Sequence, residues 1–295
     1  MTWRTVILTK ESKLSLRMEN LVIVNDEVNK IPISEIGILV IENPSIVITG
    51  HLLNALSNQK ITTILCDQKH IPSSVIQSVY GHHRQSKNIV KQFQWNEEYK
   101  GVLWKYIIQQ KIYNQGQLLK FLEREGYDDL LSFVEQVEMH DATNREGHAA
   151  KVYFNRLFNS EFTRGSDDEL NWGIDYGYTI LHSLIARQIV SKGYLSEIGI
   201  HHINEYNQYN LASDFIEVFR PIVDFIVIKH VVDQFGKEQR RQIIEMLNYK
   251  IFIKSGEHYL AQAVQMFIDG CINFLNTGEE DKLNFPIMKF EKYKV

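Results

Sequence analysis

The period of the hydrophobic pattern changes once along the chain, and this change limits the possible folds more than any other feature. From about residue 88 onward, apolar residues recur at helical spacing, about every 3.6 residues, which indicates amphipathic helices. Before about residue 80, short β-branched runs alternate with polar turns, a pattern typical of strands. A short helix is expected at residues 51–56, and the runs lie at residues 5–8, 21–24, 36–41, 46–48 and 62–65.

These patterns predict an α+β protein of two domains. A small β-rich, β-sandwich-like domain is expected over residues 1–85, and a larger all-α domain over residues 86–295. The boundary is placed at residues 81–87, where small and basic residues interrupt the pattern. The polar tail from residue 279 is expected to be extended, and helical patterns recur at residues 144–159, 174–191, 211–235, 239–252 and 259–275.

Composition excludes several classes of protein. Charged residues interrupt the N-terminus and the longest apolar stretch, residues 215–232, so we expect neither a signal peptide nor a membrane span. Cys66 and Cys271 stand alone among apolar neighbours, which favours buried free thiols in a reducing cytoplasm. The net charge of −4 gives no overall attraction to nucleic acid, so DNA binding would depend on local basic patches.

Glu146 is the first residue that could carry chemistry. On a helix it shares a stripe with Ala150, Tyr153 and Leu157, so its carboxylate points toward residues that should be buried. A carboxylate held inward must be paired, hydrogen-bonded or bound to a metal ion. The alternative is structural: residues 143–146 match the T-x-x-E capping box, in which the glutamate only satisfies a backbone donor. The segment by itself leaves both interpretations open.

A second acidic pair, Asp214 and Glu217, stands at i, i+3 spacing, which places both carboxylates on neighbouring positions of one helix face. Oxygen ligands of this kind suit Mg²⁺ or Mn²⁺. The alternative is the solvated side of an amphipathic helix, with Glu217 pairing Arg220 at i+3. His201 and His202 lie just upstream and could ligate a metal or move a proton, although most isolated histidines do neither.

Several common motifs are absent from the sequence. There is no C-x-x-C or H-E-x-x-H zinc signature, no G-x-S-x-G, no Walker loop and no G-x-G-x-x-G. Their absence removes most hydrolase and nucleotide-binding interpretations.

Four segments follow one another in a fixed order: Arg145-Glu146-Gly147-x-x-Ala150-x-x-Tyr153-Phe154, Asn171-Trp172-Gly173-Ile174-Asp175-Tyr176-Gly177-Tyr178, Gly199-Ile200-His201-His202 and Asp214-Phe215-Ile216-Glu217-Val218-Phe219-Arg220-Pro221. In this order they resemble the CRISPR-associated integrase family, the endonuclease and integrase family of CRISPR adaptation. Residues 46–49, 52–53 and 64–67 are also similar to the β-domain of that family, so the resemblance covers nearly the whole chain. Residue 175 is Asp where many relatives carry Asn, and this variant together with the short length favours a type II system.

The resemblance implies a metal-dependent integrase that joins the 3′-hydroxyl ends of spacer DNA to the repeat of the CRISPR array. It implies Glu146, His202 and Glu217 as catalytic residues and as ligands of Mg²⁺ or Mn²⁺, with Asp214 as a less certain ligand. His202 is preferred to His201 because the family has histidine third after the glycine. A homodimer is implied as well, with the N-terminal domain serving dimerisation and partner contact, together with a small CRISPR adaptation protein as partner.

Double-stranded DNA that approaches two carboxylates needs basic groups around them. Tyr153 and Tyr178 are candidates to stack on bases at a duplex end. The alternative for every one of these residues is ordinary surface charge or a core aromatic. The basic candidates are Arg145, Lys151, Arg156 and Arg164 near the helix of Glu146, and Arg84 and Lys87 at the domain junction.

Integration is a transesterification at phosphorus, in which one phosphodiester bond replaces another, so no nucleotide cofactor is required. A divalent ion would lower the pKa of the attacking hydroxyl and neutralise developing charge. Two alternatives use the same sequence features: a metal-dependent endonuclease that acts by hydrolysis, and a non-catalytic scaffold that captures DNA.

Overall fold

The computed structural model describes residues 4–68, 70, 72–76, 82–231 and 234–293. The chain divides into two compact units, one of residues 1–85 with 190–193 and the other of residues 86–189 with 194–295. The first is rich in strands and the second is mostly helical, which confirms the predicted α+β class.

Within the described residues, the first unit contains two four-stranded sheets and one α-helix. In one sheet β1, β5 and β7 are parallel and β8 is antiparallel at the edge, in the order β1-β5-β7-β8. The other has the order β4-β3-β2-β6. The elements are β1 (Arg4–Leu8), β2 (Lys13–Arg17), β3 (Asn20–Val24), β4 (Val28–Pro32), β5 (Ile36–Ile41), β6 (Val47–Ile48), α1 (Gly50–Asn58), β7 (Thr62–Cys66) and β8 (Pro72–Ile76).

Apolar residues of both sheets and of α1 share one core. Leu14 and Leu21 of one sheet, Leu39 of the other and Leu52 of α1 are all fully or almost fully buried within it. The predicted strands at residues 5–8, 21–24, 36–41, 46–48 and 62–65 and the predicted helix at 51–56 are present. Strands β2, β4 and β8 carry many polar side chains, and they form because their backbones pair with β3 and β7, which single-segment hydrophobicity does not reveal.

The second unit consists mainly of helices with one hairpin. The predicted helices at residues 144–159, 174–191 and 259–275 are confirmed with small shifts of their ends. The elements are α2 (Gln85–Phe93), α3 (Glu97–Phe121), α4 (Tyr127–Gln136), α5 (Arg145–Leu157), α6 (Glu169–Ser191), α7 (Asn210–Ile216), α8 (Arg220–His230), α9 (Lys237–Glu245), β9 (Lys250–Ile253), β10 (Gly256–Tyr259) and α10 (Leu260–Thr277).

Two helix predictions were wrong in part. The segment 211–235 is broken, because α7 ends at Ile216, a 3₁₀ turn follows, and α8 begins at Arg220. Pro221 explains the break, since a residue without an N–H fits the first turn of a helix and not its interior. The segment 239–252 ends as a strand, because Lys250–Ile253 pairs with β10. The tail contains 3₁₀ turns at Glu280–Lys282 and Phe290–Lys292 and is not wholly extended.

Two further findings concern membrane spans and the cysteines. Across the described residues, no helix has both the length and the apolar character that a membrane span requires. Cys66 and Cys271 are both buried and are not joined in a disulfide, as predicted.

Candidate active site

Helix α3 forms the base of the site, and three of its buried side chains face it. Trp104, Lys111 and Asn114 are separated by seven and three residues, so they lie on one side of the helix. Asn114 donates to the carbonyl oxygens of Val218 and Pro286, each at 3.1 Å. Through the first of these bonds α3 holds the 3₁₀ turn Glu217–Phe219, which carries one of the candidate carboxylates.

The start of α5 is capped by residues other than Glu146. Asn144 accepts from the backbone N–H of Gly147 at 3.2 Å, and Asp141 accepts from the N–H groups of Arg145 at 2.8 Å and Glu146 at 3.0 Å. The capping-box interpretation of residues 143–146 is therefore wrong. Since the donors of the first turn are satisfied without it, the Glu146 side chain is available, and its Oε1 lies 2.5 Å from Nζ of Lys111.

Glu217 is almost completely buried between two cations. Its Oε1 lies 2.8 Å from Nη2 of Arg220, and its Oε2 lies 2.6 Å from Nζ of Lys111. The i, i+3 pair with Arg220 thus exists, but inside the protein and not on a solvated face. Burial alone would raise the pKa of Glu217, but the charges of Arg220 and Lys111 outweigh it and hold that pKa below its ordinary value. Glu217 is therefore ionised at neutral pH.

Asp214 organises the loop that carries the histidines. Its carboxylate is fully buried and accepts from the backbone N–H groups of Ile200 at 2.6 Å, His201 at 3.3 Å and His202 at 3.0 Å. Its Oδ1 also lies 2.7 Å from Nδ1 of His202. Because both oxygens are engaged with this loop, the structure favours a positioning role for Asp214 over the metal-ligand role that the resemblance implied.

The two adjacent histidines have different surroundings. Donation from Nδ1 of His202 to Asp214 leaves Nε2 as the ring nitrogen that can bind a ligand. The hydrogen bond to Asp214 raises the pKa of His202, burial opposes it, and the nearby charges of Glu217 and Glu146 add to the rise. His201 instead stacks on Trp104, with ring centroids 4.2 Å apart and planes inclined by 5°. The geometry therefore favours His202 as the functional member of the pair.

A cation already lies between the two carboxylates, and it belongs to Lys111. Among the described residues, no three His, Cys, Asp or Glu side chains form a ready-made metal cluster. Oε2 of Glu217 is nevertheless buried, and its one close contact within the described part of the chain is the ion pair with Nζ of Lys111 at 2.6 Å, so it can accept a further ligand. Two carboxylates and one imidazole are a donor set that suits Mn²⁺ or Mg²⁺. The residues thus fit a divalent ion if the ammonium group gives up its position.

Gly199 is required by the close packing of this loop, which gives a testable prediction. A methyl group at residue 199 would overlap the carbonyl oxygen of His202 and would lie 2.6 Å from Oδ2 of Asp214. We expect Gly199→Ala to lower the free energy of unfolding by about 1–3 kcal/mol, the usual range for overpacking. Urea denaturation measures this, with Gly50→Ala as control because a methyl group there meets nothing within 4 Å. Equal stability of the two variants would contradict the prediction.

A buried acid joins the helices that surround the site. Asp224 accepts from the hydroxyl groups of Tyr153 on α5 at 2.8 Å and of Tyr178 on α6 at 2.7 Å. Tyr153 is fully buried, and the ring of Tyr178 is covered by Arg220, whose Cζ lies 4.7 Å from its centroid. Neither ring is available to a base in this structure, so the predicted stacking role is corrected to a structural one.

The same cluster predicts a pH dependence of stability. Burial raises the pKa of Asp224 to about 6, although the two tyrosine hydroxyls and Arg220 oppose the shift. Between about pH 4 and about pH 6 the folded state holds a proton that the unfolded state has lost, so this group lowers stability as pH rises through that window. Relative to that of Asp224→Asn, the free energy of unfolding of the wild type should fall by roughly 2–3 kcal/mol between pH 4 and pH 6. Parallel pH profiles of the two proteins would contradict this.

The predicted basic contacts are distributed over several surfaces. Lys151 is exposed on α5, and Arg145 is half-buried beside Glu146. Arg156 is exposed and pairs with Glu125 at 3.1 Å, while Arg164 pairs with Asp175 and also donates to Asn171 at 2.9 Å. Arg84 and Lys87 are exposed at the start of α2. Residue 175, the departure from the resembled motif, is thus the ion-pair partner of Arg164.

The loop after His202 presents two hydrophobic side chains to solvent. Ile203 is 88% exposed and Tyr206 is 86% exposed. Asparagines fix this loop, since Asn204 accepts from the N–H of Tyr206 at 2.9 Å and Asn210 donates to the carbonyl oxygen of Asn204 at 2.9 Å. An ordered loop with exposed apolar groups beside a candidate catalytic residue is typical of a binding surface.

Sequence reasoning missed Lys111, although the sequence carries a signal for it. Lys111 follows Ile107 and Ile108 at helical spacing and precedes Ile112, so it interrupts an otherwise buried stripe of α3. Lysine is almost never buried without a partner, so a lysine on such a stripe predicts a buried carboxylate nearby. Asp141 and Asp224 were missed as well, because their partners are distant in the chain or supplied by backbone.

The profile of the family described as CRISPR associated protein Cas1 matches residues 5–242. The chain belongs to the Cas1 family. A Cas1-family relative, the CRISPR-associated endonuclease Cas1 of Neisseria meningitidis serogroup C (strain 8013), is 33% identical over 294 residues, which is 96% of this chain and 94% of the relative. The CRISPR-associated endonuclease Cas1 1 of Francisella tularensis subsp. novicida (strain U112) is 24% identical over 77% of this chain and 78% of its own.

Solved structures share the Cas1 fold. A casposase bound to integration product superposes with a TM-score of 0.78 at 19% identity, covering 99% of this chain and 96% of that one. A CAS1 protein from Thermotoga maritima has a TM-score of 0.71 at 16% identity, covering 93% and 97%. A chain of a Cas6-RT-Cas1–Cas2 complex has a TM-score of 0.73 at 20% identity, covering 99% of this chain and 36% of that one.

Proposed function

We propose that this Cas1-family chain is a metal-dependent DNA integrase of CRISPR adaptation, which joins the 3′-hydroxyl ends of spacer DNA to the repeat. One observation carries the proposal: Glu146 of α5 and Glu217 after α7 meet at a single buried cation, with His202 beside them. Carboxylates are brought together inside a protein only where a cation or hydrogen bonds compensate their charge. Phosphodiester transfer uses a divalent cation that carboxylates of this kind can hold.

Glu146, Glu217 and Nε2 of His202 would hold the ion, which we propose to be Mg²⁺ or Mn²⁺. When bound, such an ion polarises the attacking hydroxyl and neutralises charge that develops on the phosphoryl oxygens. Asp214 keeps the imidazole in the tautomer that offers Nε2, and Arg220 adds a fixed positive charge beside the reacting phosphate. These side chains are preorganised, since each is buried or hydrogen-bonded before substrate arrives.

In the proposed reaction the 3′-oxygen of the spacer forms a bond to a phosphorus of the repeat and loses its proton to solvent. The bond from that phosphorus to the 3′-oxygen of the repeat strand breaks, and this oxygen takes up a proton. One phosphodiester is exchanged for another of similar energy. No oxidant or nucleotide is consumed.

We also propose how DNA and partners reach the site. Arg145 and Lys151 would contact phosphates beside Glu146, and Tyr206 would stack on an unpaired base near His202. A homodimer and a complex with a Cas2-like protein are proposed as well, since solved Cas1–Cas2 complexes contain chains of this fold. The assignment to a type II system stays a prediction.

The choice of nucleophile tests the proposal. Purified protein, with its small partner, is supplied with duplex DNA bearing either 3′-hydroxyl or 3′-dideoxy ends, a supercoiled repeat plasmid and Mn²⁺. We expect covalent joining with the first duplex, no joining with the second, and none with either in EDTA. The names of the relatives favour one alternative, hydrolytic endonuclease activity, which would cleave the plasmid equally with both duplexes. A scaffold would give neither product, and either outcome would overturn strand transfer.

A further inference from the structure

The charges of the two glutamates and of the two basic side chains that contact them already cancel without a metal ion. Glu146 and Glu217 carry two negative charges, and Lys111 and Arg220 carry two positive ones at contacts of 2.5–2.8 Å. Only 9% of the Lys111 side chain and 3% of the Glu217 side chain are exposed. The Lys111–Glu217 contact is therefore buried and little screened by salt, while the side chains of Glu146 and Arg220 are 26% and 29% exposed.

A divalent ion that enters this site therefore makes it positive. It adds two charges to a group whose sum is zero, and it must take carboxylate oxygens that Lys111 and Arg220 now contact. The repulsion between the ion and these two cations acts over a few ångströms in a region of low dielectric, where charge–charge energies are large. This repulsion opposes metal binding when DNA is absent, and an additional anion would reduce the repulsion. A DNA phosphodiester carries the negative charge that is required.

We propose that Lys111 makes metal binding dependent on DNA. In the metal-free enzyme its ammonium group neutralises Glu146 and Glu217, and it gives up these carboxylates to a divalent ion only when DNA phosphates supply replacement negative charge. The long, flexible side chain of lysine allows this exchange of partners. The inference rests on the proposed integrase function. It adds that metal and DNA raise each other's affinity by the same factor, as linkage requires.

A purely structural role for Lys111 would have different consequences. In that case the ammonium would only hold α3 to α5 and to the turn of Glu217, and its loss would reduce stability without changing how metal affinity responds to DNA. The two roles are therefore separated by metal affinities measured with and without DNA. Stability does not separate them.

The test is a Mn²⁺ titration of the full chain, with free Mn²⁺ measured by electron paramagnetic resonance. Each protein is titrated alone and with a saturating duplex bearing 3′-dideoxy ends, so that no joining occurs, and binding by DNA alone is subtracted. For the wild type we expect DNA to raise Mn²⁺ affinity by about tenfold or more, a usual size for coupling between sites. Lys111→Met should bind Mn²⁺ about tenfold more tightly than the wild type without DNA, and DNA should then change its affinity less than about threefold.

Lys105→Met is the matched control, because Lys105 lies on the same helix and shows no ion pair among the described residues. It should behave as the wild type. Two results would overturn the inference: equal Mn²⁺ affinity of the wild type with and without DNA, or unchanged or weaker Mn²⁺ binding by folded Lys111→Met. If Lys111→Met does not fold, Lys111→Gln takes its place in the same titrations, because its amide can still donate to a carboxylate but carries no charge, and the same outcomes are expected of it. Joining activity with uncoupled Mn²⁺ binding would reject this inference alone, whereas no Mn²⁺ binding in any condition would reject the proposed function as well.

Discussion

Glu146→Gln and Glu217→Gln should each reduce DNA joining by about a thousandfold or more, because each removes one of two charged oxygen donors from a shared cation. Glutamine keeps the volume of glutamate, so packing is preserved. Lys111 keeps one carboxylate partner in either variant, whereas Glu217→Gln also removes the ion-pair partner of Arg220. Initial rates of joining at saturating Mn²⁺ measure the effect.

Folding must be checked in the same experiment. Thermal unfolding and circular dichroism should show both variants folded at the assay temperature, and Glu135→Gln on the exposed side of α4 should retain full activity. Two outcomes would contradict the assignment: a folded Glu146→Gln or Glu217→Gln variant with activity within a few-fold of the wild type, or joining by the wild type that persists in EDTA.

His202→Ala should lower joining by about a hundredfold or more, whereas His201→Ala should lower it only a few-fold. The reason is the different support of the two rings. Asp214 accepts from Nδ1 of His202 and leaves Nε2 of that ring as the possible ligand, while His201 lies on Trp104 and is exposed. Since the variants remove the same chemical group from adjacent positions, each is the control for the other.

Asp214→Asn adds a test of positioning. The amide can no longer accept on both oxygens from the histidine loop, so His202 should lose its fixed tautomer. We expect a loss of joining and a weaker Mn²⁺ affinity in this variant. Equal activity of the His201→Ala and His202→Ala variants would contradict the assignment of His202 as the functional ring.

The sequence predicted the fold class, because the change of hydrophobic period marks the transition from strands to helices. It could not predict β4 or β8, whose polar side chains are held by pairing with neighbouring strands. The hydrophobic pattern also led to a predicted helix that runs into β9, because a short apolar strand and the end of an amphipathic helix have similar local patterns. Pro221 was the signal that a long helical segment must be divided.

For the candidate site too, some features could be predicted from the sequence and others could not. Glu146 was predicted to point inward from its helical position, and the structure places it at Lys111. The same stripe placed Tyr153 inside, yet it was proposed as a DNA contact, and burial argues against that role. The sequence pairs Arg220 with Glu217 and marks Lys111 as a lysine on a buried stripe, but it could not predict the charge balance, because that balance depends on three segments that meet only in the folded chain.

The central claim is that Glu146, Glu217 and His202 share one divalent ion. Crystals grown with Mn²⁺ and duplex DNA test it directly through the anomalous scattering of manganese. The account predicts one strong peak within about 2.5 Å of an oxygen of each glutamate and of Nε2 of His202, with the Lys111 ammonium displaced from its present position. A manganese peak elsewhere, or none at this position while Lys111 still bridges the two carboxylates, would contradict it.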